Sequence, residues 1–267
     1  MTYSRIRYTT LDGVATLELN DPPANTYSYE MMREIDAAVL DARMDRAVHV
    51  IVLRGAGEKF FCAGANIGML KDAKPEFKYY FCLHANETLN RLEQTPKLVI
   101  AALNGHTVGG GLEVAMAADL RIAKKDGGKI GLPEVALGVL PGTGGTQRLG
   151  RLVGKSRAME LLVSGRLMSF DEAQAIGLVN EVWDQAALAG RSFADAVQEY
   201  ARQYTPPNKA SKAVGRIKRA VQSGLEMSFG DGLAVERELQ QLLFESNDAK
   251  EGIAASLEKR KPNFTGT

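Results

Sequence analysis

The chain has 267 residues, 45% of them apolar and 24% charged, with a formal net charge of +1. That length can bury a sizeable core, and the charge balance gives no general reason to expect a nucleic acid or an acidic surface as partner. Two cysteines, Cys62 and Cys82, exclude a disulfide framework and a paired metal knuckle. The opening "MTYSRIRYTTLDGVATLELN" lacks the apolar segment of a secretory leader, and no apolar run reaches the roughly 18 residues of a membrane span, so a cytoplasmic protein is expected.

Along the chain, "GVATLELN" (Gly13–Asn20) alternates as a strand does and stops at Asp21-Pro22-Pro23. From Ser28 to about Asp45, Met31, Met32, Ile35, Ala38, Val39 and Ala42 recur at helical spacing, with Ser28 as N-cap. "VHVIVLRG" (Val48–Gly55) is nearly all apolar, as a strand buried on both faces would be. A helix is expected between about Lys74 and Glu93, then the strand "KLVIAALNG" (Lys97–Gly105), a glycine triplet, a further helix, and the strand "DLRIAKK" (Asp119–Lys125). Ser169 and Glu172 have capping-box spacing, Gly177 stops that helix, and "LVNEVW" (Leu178–Trp183) reads as another strand. Beyond Pro206-Pro207 the pattern turns helical. The expectation is an α/β core over 1–203 and a helical C-terminal region over 204–267.

Three stretches carry candidate chemistry. In "NGHTVGGGLEVAMAA" (Asn104–Ala118), three glycines lie between a buried strand and a helix. A helix N-terminus offers unpaired N–H groups and positive potential, and glycines let an oxygen approach them. Glu113 falls in the first turn, where the dipole favours its ionised form. Packing of helix on strand is the equally weighted structural reading. In "GEKFFCAGANIGML" (Gly57–Leu70), small residues again bring backbone close to a ligand, and one N–H donor from each loop aimed at one oxygen would make an oxyanion hole. Cys62 has no histidine partner nearby in sequence and reads as a small buried side chain. In "IGLPEVALGVLPGTGGTQRLGRLVGKS" (Ile130–Ser156), Glu134 lies among Leu132, Val135, Ala136 and Leu137, surroundings that raise a carboxyl pKa. Glu113 and Glu134 would then form an unlike pair, suited to adding or removing water.

Two motifs fail on spacing. "GRLVGKS" (Gly150–Ser156) is one residue short of a phosphate-binding loop, and "GTGGTQR" is not the dinucleotide fingerprint. His49, His84 and His106 show no metal-ligand spacing, so no metal site is expected. Lys209, Lys212, Arg216, Lys218 and Arg219 read as a solvated helix face, with an RNA-binding patch as the minor alternative.

Taken together these stretches resemble the enoyl-CoA hydratase/isomerase (crotonase) family. The resemblance runs from "LNDPPANTYS" through "FFCAGANIGML", "NGHTVGGGLEVAMAADLRIA" and "LPEVALGVLPGTGGTQRLGRLVGKS" to "AKEGIAASLEKRKPNF". It implies a crotonase-like spiral of ββα units with a helical C-terminal region, assembled as a homotrimer or homohexamer, acting on coenzyme A thioesters without a separate cofactor, metal or membrane. By motif position Ala65 and Gly110 would supply the oxyanion-hole N–H groups. Hydratases of the family have glutamates at both positions held here by Glu113 and Glu134. Glu113 would deprotonate water for attack at Cβ of a 2-enoyl-CoA, and Glu134 would give a proton to Cα. Isomerases often keep only the later glutamate, so a hydro-lyase is expected, with an isomerase, a hydratase of a branched or cyclic acyl group, or an RNA-binding relative as alternatives. The resemblance also puts Ala63, Asn66, Ile67 and Gly142 at the substrate, Gly142 near the water, and Lys59 and Lys261 near the coenzyme phosphates. Asn66 departs from the aspartate usual in the hole motif, Ser256 stands where many relatives have an aromatic, and Phe77–Phe81 falls at the variable acyl pocket.

Overall fold

The computed structural model describes residues 3–267. Its first two strands, β1 (Ile6–Leu11) and β2 (Val14–Leu19), form an antiparallel hairpin across Asp12-Gly13. The sequence reading missed β1, because only Ile6 in it is buried and the strand shows no apolar alternation. Next come α1 (Tyr29–Met44), capped by Ser28 as expected, and β3 (Val50–Gly55), a buried run that pairs in parallel with β2.

From β3 onward the chain repeats one unit: a strand in a large sheet, a short strand in a small sheet, then helix. β3 leads to β4 (Phe60–Cys62), α2 (Ile67–Asp72) and α3 (Pro75–Glu93). β5 (Leu98–Leu103) leads to β6 (His106–Val108) and α4 (Gly110–Met116). β7 (Leu120–Lys124) leads to β8 (Ile130–Gly131), a 3-10 turn at Glu134–Leu137, and the helices α5 (Gly145–Val153), α6 (Lys155–Ser164) and α7 (Phe170–Ala175). β9 (Glu181–Trp183) closes the large sheet, followed by α8 (Gln185–Leu188) and α9 (Phe193–Arg202). The large sheet has the order β1-β2-β3-β5-β7-β9, all parallel after the hairpin, and the small parallel sheet has the order β4-β6-β8. This is the spiral of ββα units that the resemblance implies.

The large sheet is apolar on both faces, which explains its unbroken hydrophobic strands. Ala15, Leu17, Leu19, Ile51, Leu53, Val99 and Ala101 point into the main core with α1. Val14, Val50, Val52, Ile100 and Ile122 point the other way, against Phe193, Ala196 and Val197 of α9. Each fully buried Val, Leu or Ile contributes about 1.5–3 kcal/mol.

Two expectations need correction. Leu178 and Val179 do not belong to a strand: both amides donate to the Ala173 carbonyl and finish α7, so the ladder starts only at Glu181. Lys218, on α10 (Ser211–Gly224), is not part of a solvated face. It is 7% exposed and pairs with Asp119 at 2.9 Å, because its helix lies on the end of the sheet and needs a partner for the one cation turned inward. α11 (Phe229–Phe244) and α12 (Asn247–Leu257) complete the helical C-terminal region, and α11 has no buried residue along its 16 positions.

Candidate active site

The glycine triplet sits where the small sheet ends. Gly109 adopts φ 57° and ψ −135°, and a Cβ there would lie 2.9 Å from Glu134 Oε1. A Cβ on Gly110 would collide with the Tyr27 hydroxyl, and one on Gly111 with the Cys62 carbonyl. The three glycines are therefore required by close approach: a carboxylate, a phenol and the 62–66 loop all press on the start of α4.

That loop meets α4 end-on. Gly64 has φ 89°, and a Cβ on it would sit 3.0 Å from the Gly110 nitrogen. Tyr27 forms a parallel bridge to Ala65, its N–H donating to the Gly64 carbonyl and its carbonyl accepting from the Asn66 N–H, both at 2.9 Å. Bridge geometry turns the Ala65 N–H the other way. Among the described residues neither the Ala65 nor the Gly110 amide donates to another backbone group. For Gly110 the reason is general, since the first residue of a helix has no intrahelical acceptor.

Glu113, on the fourth residue of α4, is 2% exposed. Its Oε1 accepts from the Thr143 N–H at 2.8 Å and the Gly145 N–H at 2.7 Å, and its Oε2 accepts from the Thr143 hydroxyl. Burial nonetheless raises its pKa above the usual carboxylate value, with the Thr143 and Gly145 donors and the Arg148 charge acting in opposition. The balance at Glu113 is thus burial on one side and the donors of the 143–145 loop on the other.

Glu134 opens the 3-10 turn, with Oε2 buried and without a hydrogen-bond partner among the described residues. Burial pushes its pKa up to about 7, and the Glu113 charge adds to the rise. The two carboxyls have opposite provision: Glu113 is ringed by donors of the 143–145 loop, and Glu134, whose Oε1 lies against Gly109, has its Oε2 unpartnered among the described residues.

The other expected residues are distributed around this centre. Asn66 caps α2, its Oδ1 accepting from the Met69 N–H at 3.0 Å, and Ile67 starts that helix, 63% exposed. Ala63 N–H donates to the Ala24 carbonyl at 3.0 Å. The Gly142 carbonyl accepts from Asn86 at 3.2 Å, and its Cα faces Cys82. Lys59 is exposed, its Nζ 5.6 Å from the Phe60 ring centroid, at a cleft of about 290 Å³ shared with Arg7 and Asn25. Lys261 is exposed in the tail after α12. Burial pushes the Cys62 thiol up to about 12, which suits an inert packing role. His106 Nδ1 accepts from the Lys129 N–H at 3.0 Å.

An open groove of about 520 Å³ runs between α2 and α3, lined by Met69, Ala73, Lys74, Phe77 and Tyr80. Neither glutamate lines it, so the contacts of the glutamates, and not the groove, locate the chemistry. Of the Phe77–Phe81 segment, Phe81 is buried and stacks on Phe77, with centroids 6.2 Å apart. Among the described residues no group of three or more His, Cys, Asp or Glu could hold a metal ion, and no helix is long and apolar enough to cross a membrane.

Sequence reasoning missed Tyr27, Thr143, Gly145 and Arg148. The doubled glycine in "PGTGGTQR" was a signal for a backbone close to something. Nothing in the sequence announced that Tyr27 would reach Thr143, 116 positions away.

Comparison with known proteins agrees with this geometry. The family model described as enoyl-CoA hydratase/isomerase matches residues 9–267. The short-chain-enoyl-CoA hydratase of Clostridium acetobutylicum is 38% identical over 249 residues, covering 93% of this chain and 92% of that one. The crotonyl-CoA hydratase of Syntrophomonas wolfei is 37% identical over 265 residues, 99% of both chains. Among solved structures, "Enoyl-CoA hydrates" from Geobacillus kaustophilus superposes with a TM-score of 0.95 at 46% identity, covering 100% of this chain and 98% of that one.

Proposed function

This chain belongs to the enoyl-CoA hydratase/isomerase family, and we propose from that premise that it adds water across the 2,3 double bond of a 2-enoyl-CoA to give a 3-hydroxyacyl-CoA. The observation that carries the proposal is the unlike pair: Glu113 with three donors, and Glu134 with its buried Oε2 unpartnered among the described residues and its pKa pushed up to about 7.

The thioester oxygen sits between the Ala65 and Gly110 amides. As negative charge develops there, fixed donors strengthen their hold, and losing one costs about 3 kcal/mol of transition-state stabilisation. A carboxylate oxygen offers two lone pairs. Glu113 Oε1 already accepts two N–H bonds and Oε2 only one O–H bond, so Oε2 takes the proton from water. The water oxygen bonds to Cβ, and the π electrons move onto the thioester oxygen as an enolate. The enolate then collapses and Cα takes the proton of Glu134. Glu113 ends protonated and Glu134 ionised, and exchange with solvent resets both. A carboxyl with a pKa of about 7 is matched to giving and regaining that proton near neutrality.

Coenzyme A enters as part of the substrate, with Ala63, Asn66, Ile67 and Gly142 lining its path, Lys59 and Lys261 placed for its phosphates, and no separate cofactor invoked. The division into a catalytic core over 1–203 and a helical region over 204–267 belongs to the same proposal. The helical region makes the contacts of a homotrimer or homohexamer: Leu225, Phe229 and Leu257 are 80% or more exposed, and α11 buries nothing within one chain. Phe229→Asp is expected to lower the mass in light scattering to that of smaller assemblies while the circular dichroism of the core persists. A cytoplasmic location fits two free thiols, one of them in the core.

Labelled water tests the reaction. With crotonyl-CoA in ¹⁸O-water, the label is expected at C3 of the product. A double-bond shift without label would replace hydration by isomerisation.

A further inference from the structure

We propose that Tyr27 and Thr143 form a hydroxyl relay that positions Glu113 and holds it as a base, an inference that rests on the hydration reading. The Tyr27 and Thr143 hydroxyls are 3.2 Å apart, both residues are buried, and the Thr143 hydroxyl also bonds Glu113 Oε2. An ionised carboxylate only accepts. The single proton of Thr143 is thus committed to Glu113, and Tyr27 must donate to Thr143. The direction is O–H of Tyr27 to Oγ1 of Thr143, then O–H of Thr143 to Oε2 of Glu113. Each donation polarises the next.

The position of Tyr27 is unusual for a core aromatic. Its backbone brackets Ala65, its hydroxyl presses on Gly110, and its relay ends on Glu113. One residue, through its backbone and its hydroxyl, therefore ties both proposed oxyanion donors to the proposed base, and it touches no reacting atom. Tyr27 and Thr143 are positioning residues. The phenol is not itself a proton source, since burial and the Glu113 charge raise its pKa well above the usual value.

The charged and titratable groups around Glu113 are Tyr27 before α1, Cys82 on α3, Glu134 on the 3-10 turn and Arg148 on α5. Arg148 is held by Glu93 at 2.8 Å and Asn90 at 2.7 Å and donates to the Thr143 carbonyl at 3.3 Å, so its charge backs the same loop. Removing a hydroxyl donor leaves these groups in place and disfavours the Glu113 carboxylate.

The test is the pH profile of kcat/KM for crotonyl-CoA hydration by the wild type and by Thr143→Val, Thr143→Ser and Tyr27→Phe. Thr143→Val keeps the side-chain shape without its hydroxyl. It is expected to lower kcat about tenfold to a hundredfold, the range for a hydrogen bond to a charged group, with KM little changed. Its acid limb, where Glu113 must be ionised, moves to higher pH, and Thr143→Ser restores both readings. Tyr27→Phe moves the limb the same way with a loss of about threefold to tenfold. In the Thr143→Val background it adds no further shift, because the relay is already cut. Acid limbs that stay in place while rates fall equally at every pH, or effects that simply add, would overturn the relay and leave hydration standing. A wild type that hydrates no enoyl-CoA would overturn the reading beneath it.

Discussion

Glu113 sits on α4 and Glu134 lies against the first glycine of that helix's approach, and the chain treats these two residues of one type in opposite ways. Glu113 hangs from a helix inside the core and has the 143–145 loop wrapped around it, three donors on two oxygens. Glu134 rides a single 3-10 turn whose next residues are exposed, and its buried Oε2 has no donor among the described residues. Both carboxyls are shifted upward by burial, but Glu113 is opposed by the Thr143 and Gly145 donors and the Arg148 charge, whereas Glu134 has only a backbone hydrogen bond against it and the Glu113 charge adding to the rise. Burial alone therefore does not assign acid and base; the supply of hydrogen-bond donors does.

The sharpest way to break the comparison is to neutralise each partner. Glu113→Gln and Glu134→Gln are each expected to lower kcat about 10²–10⁴-fold, but with opposite signatures in the free-enzyme profile. The first loses the acid limb, where the base must be ionised. The second loses the alkaline limb near pH 7, where the acid must keep its proton. Loss of the same limb in both would mean that the two are not an unlike pair.

Gly110→Ala attacks the ground the two carboxyls share. The new Cβ would meet the buried Tyr27 hydroxyl, so the start of α4 must shift and with it the proposed oxyanion donor. A loss of about 10²–10³ in kcat is expected, together with about 1–3 kcal/mol of stability. Wild-type rates in a folded variant would remove Gly110 from the site.

Stability gives a third, smaller contrast. The folded protein holds the Glu134 proton up to about pH 7, whereas the unfolded chain releases it near the ordinary value of 4.5. Its contribution is therefore fully present below about 4.5 and is lost as pH rises through about 7. Glu134→Gln removes that dependence, and at pH 8 it should make the protein more stable than wild type by about 1 kcal/mol, less than the full shift would give because Glu134 is only half-buried and solvent screens its charge, measured by denaturant unfolding. An unchanged or lower stability at pH 8 would mean that Glu134 is not held bare. Asn66→Ala touches neither carboxyl. It should cost about 1 kcal/mol through the cap of α2 and leave both limbs of the profile alone.

How much of this was readable in advance follows from the range of the interactions. The runs Val48–Gly55 and Lys97–Gly105 announced buried strands because a doubly covered sheet writes its burial into consecutive residues. Ser28, Ser169 and Glu172 announced helix starts because capping is local. The triplet and the two glutamates were legible as motifs, and their order along the chain placed them in a family. The small sheet was not, since strands of two or three residues are too short for a period. Nor was the burial of Lys218, whose partner Asp119 lies across the sheet end. The Glu113 shift depended on burial set against donors from Thr143 and Gly145, supplied by a loop 30 positions away in sequence. Spacing picked out the candidate residues; only packing decided how each is tuned.

The most direct measurement is the loss of conjugated-enoyl absorbance from crotonyl-CoA on adding the wild-type protein, run beside Glu113→Gln and Glu134→Gln. Rapid loss with the wild type, reduced at least a hundredfold in both variants while they remain folded, is the predicted result, about the lower end expected for removing one acid–base group. Full activity in either variant, or no loss with straight, branched and cyclic enoyl-CoAs alike, would contradict the paired-carboxylate account.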